Sequence, residues 1–157
     1  MSGFRYHRPM ITARAFAATL LVFIATIALP ACARECVPQV RDGWVRLPPV
    51  AMPMMAGFGR VENRCAVPVT IVGVSSPAFG DVSLHETRTV DGVSRMRALP
   101  ELRIAPDGVA TLKPGGMHLM LMRPRAPLKP GSKIVVEFAL QGGGILRGEF
   151  LVRKPGD

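Results

Sequence analysis

Two histidines and two methionines in the second half of the chain have residue types and spacing that suit metal binding. His85, Met96, His118 and Met120 form the pattern H-x10-M-x21-H-x-M. Imidazole nitrogens and thioether sulfurs are soft, neutral ligands that suit Cu(I), whereas Zn(II) and the hard cations have little use for thioethers. The pattern therefore predicts a site for copper, as Cu(I), with two imidazole and two thioether ligands.

Alternation along a strand separates the candidate ligands from core residues in the segment 117–122. Odd-numbered residues there point to one face, predicted to be the core, and His118 and Met120 point to the other. Their backbone positions on one strand should lie roughly 6–7 Å apart, close enough for both side chains to reach one ion. Leu84 is the natural core residue of its segment, so His85 should face outward.

A turn signal connects His85 with Met96. Asp91-Gly92 predicts a hairpin turn that folds the Met96 segment back beside the His85 segment. The two side chains could then lie close together, although the register of the hairpin stays open.

The segments that must position these residues are short predicted strands separated by turns rich in Gly and Pro. We predict them at residues 43–47, 56–62, 67–74, 81–88, 94–99, 109–112, 117–122, 133–140 and 145–152. Many short strands without a helical pattern indicate an all-β antiparallel sandwich or barrel. We expect residues 34–157 to form one copper-binding β domain.

The first 33 residues have the composition of a secretory signal peptide. Residues 1–14 carry three arginines and no acid, residues 15–29 are apolar, and Ala31-Cys32-Ala33 offers a cleavage site. An apolar run of about 15 residues is short for a membrane span, which needs ~20, so an uncleaved anchor is the alternative. We expect a periplasmic protein without a membrane span in its mature form. Residues 29–32 also loosely resemble a lipoprotein box, in which Cys32 would carry a lipid anchor.

Two cysteines remain after the predicted signal peptide. We predict a disulfide between Cys36 and Cys65, since cysteines that are even in number and lie in an oxidising compartment usually form pairs. The bond would close a loop of about 28 residues and contribute on the order of 3 kcal/mol. The alternative is a pair of soft metal ligands.

The remaining composition excludes several classes of protein. The formal net charge of +9 comes from scattered Lys and Arg residues with few aromatic residues, which does not indicate a nucleic-acid partner. The chain lacks G-x-S-x-G and HExxH motifs, so we expect no enzyme. A blue-copper electron carrier needs a cysteine ligand beside two histidines, and no cysteine lies near His118 in the sequence.

Met52, Met54 and Met55 form a further methionine cluster before a predicted strand. They could form a soft rim near the copper site or an apolar docking surface, or they could simply pack within the loop.

The spacing of the four candidate ligands, with its surroundings, resembles the signature of the periplasmic copper chaperone family PCu(A)C. The similar stretches are Leu84-His85-Glu86-Thr87, Asp91-Gly92-Val93 and the segment 114–122. The resemblance implies a cupredoxin-like Greek-key β-sandwich or barrel with an exposed Cu(I) site. It also implies delivery of copper to a copper-accepting protein, namely a cytochrome c oxidase subunit or its assembly factors. Copper scavenging or resistance, and a structural β-sandwich interaction domain, are the alternative functions.

Two departures from that family bear on the number of copper ions. Many relatives have a second methionine where this chain has Ser94, and some have a tail rich in His and Met. We therefore expect a single copper site.

Overall fold

The computed structural model describes residues 36–156, and this part of the chain is all-β. Its ten strands are β1 (Gln39–Arg46), β2 (Met54–Glu62), β3 (Val69–Ser75), β4 (Phe79–Val90), β5 (Val93–Ala98), β6 (Leu102–Ile104), β7 (Val109–Leu112), β8 (Met117–Pro124), β9 (Lys133–Leu140) and β10 (Ile145–Arg153). Residues 36–156 contain no helix long and apolar enough to cross a membrane. The predictions of a signal peptide at residues 1–33 and of a lipid on Cys32 lie outside the described residues.

Nine of the ten strands coincide with predicted segments, to within a few residues at their ends. The exception is β6, which pairs with β3 through Leu102 and Ile104. A strand of three residues is too short to establish a period-2 pattern, which explains why the sequence analysis missed it.

The strands form one continuous sheet in the order β5-β4-β8-β2-β1-β10-β9-β3-β6, with β7 also paired to β2. The pairing of β1 with β10 is parallel, whereas the other pairings in the described part are antiparallel. Strand β2 divides its pairing, since residues 54–57 pair with β8 and residues 59–62 pair with β7. The candidate ligands all lie on β5, β4 and β8, at one end of this strand order.

The hydrophobic core combines residues from strands at both ends of the sheet. Leu84, Leu119 and Leu121 contribute from β4 and β8, and Phe138 and Phe150 contribute from β9 and β10. Leu119 and Leu121 are fully buried. The predicted alternation along β8 is therefore correct, and it anchors the outward-facing residues to a close-packed layer beneath them.

Cys36 and Cys65 form a disulfide, with 5.6 Å between their Cα atoms. The bond links the segment before β1 to the loop after β2, as the cysteine count predicts. Both sulfurs are consumed by this bond, so neither cysteine offers a thiolate to a metal.

Candidate metal centre

His85 and His118 lie directly opposite each other on β4 and β8. Their ring centroids are 6.0 Å apart and the ring planes are inclined by 32°. Both residues are half-buried and lie on the face opposite the core residues Leu84 and Leu119. Two imidazoles from neighbouring strands are therefore held on the same outer face of the sheet.

The imidazole of His118 is oriented by the backbone. Its Nδ1 lies 2.9 Å from the carbonyl oxygen of Gly116. A carbonyl can only accept a hydrogen bond, so Nδ1 carries the proton and donates it. Nε2 then keeps its lone pair, which is the form of histidine that binds a metal.

The imidazole of His85 is held by one neighbour on its own strand. Its Nε2 lies 3.0 Å from the hydroxyl oxygen of Ser83. Its Nδ1 is buried and has no hydrogen-bond partner. Buried polar atoms are rarely unpaired in folded proteins, so an unpaired ring nitrogen fits a group whose partner is a bound ion.

The surroundings of His85 favour its neutral form. Burial lowers the pKa of His85 below the usual 6.5, electrostatic repulsion from a protonated His118 lowers it further, and the negative charge of Asp81 opposes both effects. A neutral imidazole retains the lone pair that a metal requires.

Met120 is adjacent to both histidines. It is two residues beyond His118 on β8 and lies opposite Ser83, which makes it a diagonal neighbour of His85. Diagonal neighbours across antiparallel strands are about 7–8 Å apart, within reach of a long side chain. The structure therefore brings three of the four predicted ligands into one patch.

Met96 adjoins the patch from the other side. It lies opposite Thr87 on the edge strand β5, so it is a diagonal neighbour of His85 but not of His118. On a flat sheet, the backbones of Met96 and Met120 would be about 16 Å apart. To share one ion with the histidine pair, the two thioethers would have to lean toward it from opposite corners, and Met96, with 51% of its surface exposed, has room to do so.

A pocket of about 430 Å³ opens beside two of these residues. His118, Met120, Met54 and Pro48 are among the residues that line it. An ion bound at His118 and Met120 would be accessible to a docking molecule from this side.

Within the described part of the chain, harder metals lack a comparable site. Among residues 36–156, no group of three or more His, Cys, Asp or Glu side chains could hold a metal ion. Met96 and Met120, which flank the histidine pair, would supply thioether ligands, and such ligands favour a soft ion.

Charged residues next to the ligands connect β4 and β5. Glu86 lies opposite Arg97 and forms ion pairs with Arg97 and Arg88 at 2.8 and 2.9 Å. Hydrogen bonds from Arg97 and then Arg88 hold the pKa of Glu86 below its usual value. These contacts support the hairpin register on which the position of Met96 relative to His85 depends.

Sequence reasoning missed two groups that orient the histidines. Ser83 lies two residues before His85, and the period-2 alternation could have revealed that both side chains share a face. The carbonyl of Gly116 had no signal in the sequence, because any residue type presents a carbonyl there.

Comparison with protein families gives one match that covers most of the chain. The model of a family described as "Putative lipoprotein LpqE-like" matches residues 38–152. A curated relative, "Putative lipoprotein Lxx21020" of Leifsonia xyli subsp. xyli (strain CTCB07), is 38% identical over 106 residues. The match covers 67% of this chain and 63% of the relative, so the chain spans less than two thirds of that protein.

Solved structures share the fold. The apo PCuAC domain of PmoF2 superposes with a TM-score of 0.61 at 19% identity, over 75% of this chain and 90% of that domain. The Cu(I) form of DR1885 from Deinococcus radiodurans superposes with a TM-score of 0.62 at 25% identity, over 79% and 84% of the two chains. The predicted cupredoxin-like β fold and the resemblance to PCu(A)C proteins are thereby confirmed.

Proposed function

Because the chain belongs to the LpqE-like family of putative lipoproteins, and because its fold is that of PCuAC domains, we propose that it is an exported copper chaperone. In this proposal it binds one Cu(I) ion with His85, Met96, His118 and Met120 and passes the ion to a partner protein. The copper is cargo, and the protein has no catalytic role.

The proposal depends mainly on the geometry of the histidine pair. The two rings lie opposite each other, Nδ1 of His118 donates to a carbonyl, and Nδ1 of His85 is buried without a partner. Such an arrangement leaves one free nitrogen on each ring. The similarity to the Cu(I) form of DR1885 supports the identity of the ion.

Transfer would proceed by stepwise exchange of ligands. Thioethers bind without losing a proton and, in an oxidising compartment, cannot be lost to a disulfide. Met96 is the most exposed of the four ligands, so it would leave first as a ligand from the acceptor arrives. The two imidazoles would keep the ion bound until the acceptor supplies its full set of copper ligands.

The acceptor would be a protein with a copper centre. The resemblance to PCu(A)C proteins supports a cytochrome c oxidase subunit, or a factor that assembles its copper centre. Copper scavenging or resistance is the alternative, and it predicts tight binding without transfer. A structural β-sandwich interaction domain is the other alternative, and it predicts no copper binding at all.

The family description also bears on location. Both the family and the curated relative are described as putative lipoproteins. This description supports export, and it favours the alternative in which Cys32 carries a lipid over a freely diffusing periplasmic form. Mass spectrometry of the protein purified from membranes, compared with a Cys32→Ala variant, would distinguish the two forms.

The proposed function is tested by anaerobic titration of the protein with Cu(I) against a competing chelator. We expect one equivalent to bind tightly and then to move to an apo copper-centre domain of an oxidase when the two proteins are mixed. Binding without transfer would favour scavenging. Absence of binding would reject the chaperone function and leave a structural role.

A further inference from the structure

Three methionines occupy neighbouring positions on β2 and β8, next to the histidine pair. Met54 on β2 lies directly opposite Met122 on β8, and Ala56 lies opposite Met120. Met120 is thus a diagonal neighbour of Met54 and stands two residues before Met122. We call Met54, Met120 and Met122 the thioether triad.

Spacing within the triad allows a shared ion. Residues directly opposite on antiparallel strands have Cβ atoms about 4.5–5.5 Å apart, and diagonal neighbours remain within reach of long side chains. Three flexible thioethers at these distances can converge on one soft cation.

The triad lies on the outer face of the sheet. All three methionines are half-buried, and the core residues Leu119 and Leu121 point the opposite way. Met54 and Met120 line the same 430 Å³ pocket as His118. Core packing therefore does not account for Met54 and Met120, because both border open space next to the proposed copper site.

A carboxylate adds a favourable charge. Asp81 on β4 lies opposite Met122 and is exposed. The Asp81 carboxylate forms no ion pair with an arginine or lysine among the described residues. Its negative charge beside neutral thioethers attracts a monovalent cation.

We propose that the thioether triad is a second, weaker Cu(I) position, through which the ion enters and leaves the histidine pair. This inference rests on the proposed function, because it assumes that the histidine pair binds Cu(I). Met120 belongs to both ligand sets, so the ion can move by exchanging the imidazoles for Met54 and Met122 while one sulfur stays bound. The ion keeps its charge, and no proton or electron is transferred.

The test uses the protein with 13C-labelled methionine methyl groups, titrated anaerobically with Cu(I). The first equivalent should shift the methyl signal of Met120 and the ring signals of His118. Further Cu(I) should shift the signals of Met54 and Met122, while the signal of the exposed Met52 stays in place. If the first equivalent leaves Met120 and His118 unshifted, the proposed function itself has failed.

A double variant, Met54→Leu with Met122→Leu, tests the route. Leucine conserves volume, so the fold should be retained at a cost below about 1.5 kcal/mol. We expect affinity for the first equivalent to be unchanged, the second binding event to be lost, and removal of copper by a chelator to slow about tenfold. The matched control Met117→Leu should change none of these.

Two results would overturn the second position while leaving the first intact. In one, further Cu(I) shifts the methyl signal of Met52, or of no methionine, instead of the signals of Met54 and Met122. In the other, the double variant releases copper as fast as the parent protein.

Discussion

The rings of His85 and His118 lie opposite each other across two paired strands, with their centroids 6.0 Å apart and their planes inclined by 32°. Directly beneath them, Leu84 and Leu119 form another pair of opposite residues, and these are buried in the core. The core pair fixes the register, and the register fixes the distance between the two imidazoles. The two histidines are therefore held in place before any ion arrives, and ordering them should cost little upon binding.

Replacement of a proposed ligand should weaken Cu(I) binding strongly. For His118→Ala and Met120→Ala we expect a larger loss than the 10–100-fold that removal of a supporting group typically causes, on the order of 100-fold or more. Competition titration with a Cu(I) chelator measures the loss. Met117→Leu, on the opposite face of the same strand, is the control and should bind like the parent. Equal binding by all of these proteins would reject the site.

Met96 should contribute less than His118. Its strand is at the edge of the sheet and it adjoins only one of the two histidines, so the Met96→Leu variant should lose only about tenfold in affinity. X-ray absorption at the copper edge should show one sulfur ligand fewer in the variant. An unchanged sulfur count would remove Met96 from the ligand set and leave His85, His118 and Met120.

Ser83 should act as a positioning residue for His85. Its hydroxyl is 3.0 Å from Nε2, and without it the ring can rotate and offer either nitrogen. We expect Ser83→Ala to weaken Cu(I) binding about 10–100-fold and Ser83→Thr to restore it.

Nitrogen NMR of the His85 ring separates this role from a merely structural one. The parent protein should show one tautomer and Ser83→Ala a mixture of two. Thr89→Ala, on the exposed end of the same strand, is the matched control. If the alanine variant at position 83 retains both a single tautomer and full affinity, Ser83 does not orient the ring.

Much of this fold could be predicted because its signals are local. The alternation of residues 117–122 gave the correct faces of β8, and Asp91-Gly92 gave the β4–β5 hairpin, with both residues at positive φ (53° and 76°) as a two-residue hairpin turn requires. The strand Leu102–Ile104 was not predicted, because three residues are too few to show a period-2 alternation of apolar and polar residues.

The relation between the two histidines could not be derived from local pattern. His85 and His118 meet because β4 pairs with β8 rather than with another strand, and that choice depends on how the opposed residues Leu84 and Leu119 pack in the core. Local sequence shows that each histidine faces outward, but only the tertiary register brings them opposite each other. The unpaired Nδ1 of His85 is likewise a property of the assembled surface.

His85 should titrate below the usual histidine range in the copper-free protein. Burial is the main cause, the charge of His118 adds to it, and Asp81 opposes it. Proton NMR of the ring should therefore give a midpoint below 6.5, and Asp81→Asn should lower it further. A midpoint at or above 6.5 in the parent would show that burial does not dominate.

The same shift predicts how the stability of the copper-free protein depends on pH. As pH falls below about 6.5, the unfolded chain takes up a proton at His85 that the folded protein resists, so the free energy of unfolding decreases. At higher pH the ring is neutral in both states and its contribution to the pH dependence vanishes. Urea unfolding of the parent and of His85→Gln at a series of pH values measures the effect. The glutamine variant should have a flatter profile over this range.

The disulfide should stabilise the fold without taking part in copper binding. Cys36 and Cys65 are 29 residues apart, so their bond should contribute ~3 kcal/mol by restricting the unfolded chain. The residues around Cys36 line a pocket that shares no residue with the one beside His118. The double variant Cys36→Ser with Cys65→Ser should therefore unfold at lower urea concentration while its Cu(I) affinity stays within about twofold of the parent. Replacing both cysteines avoids leaving a lone thiol that could bind copper itself. A large loss of Cu(I) affinity in a variant that is still folded would mean that the disulfide end of the domain is coupled to the histidine pair.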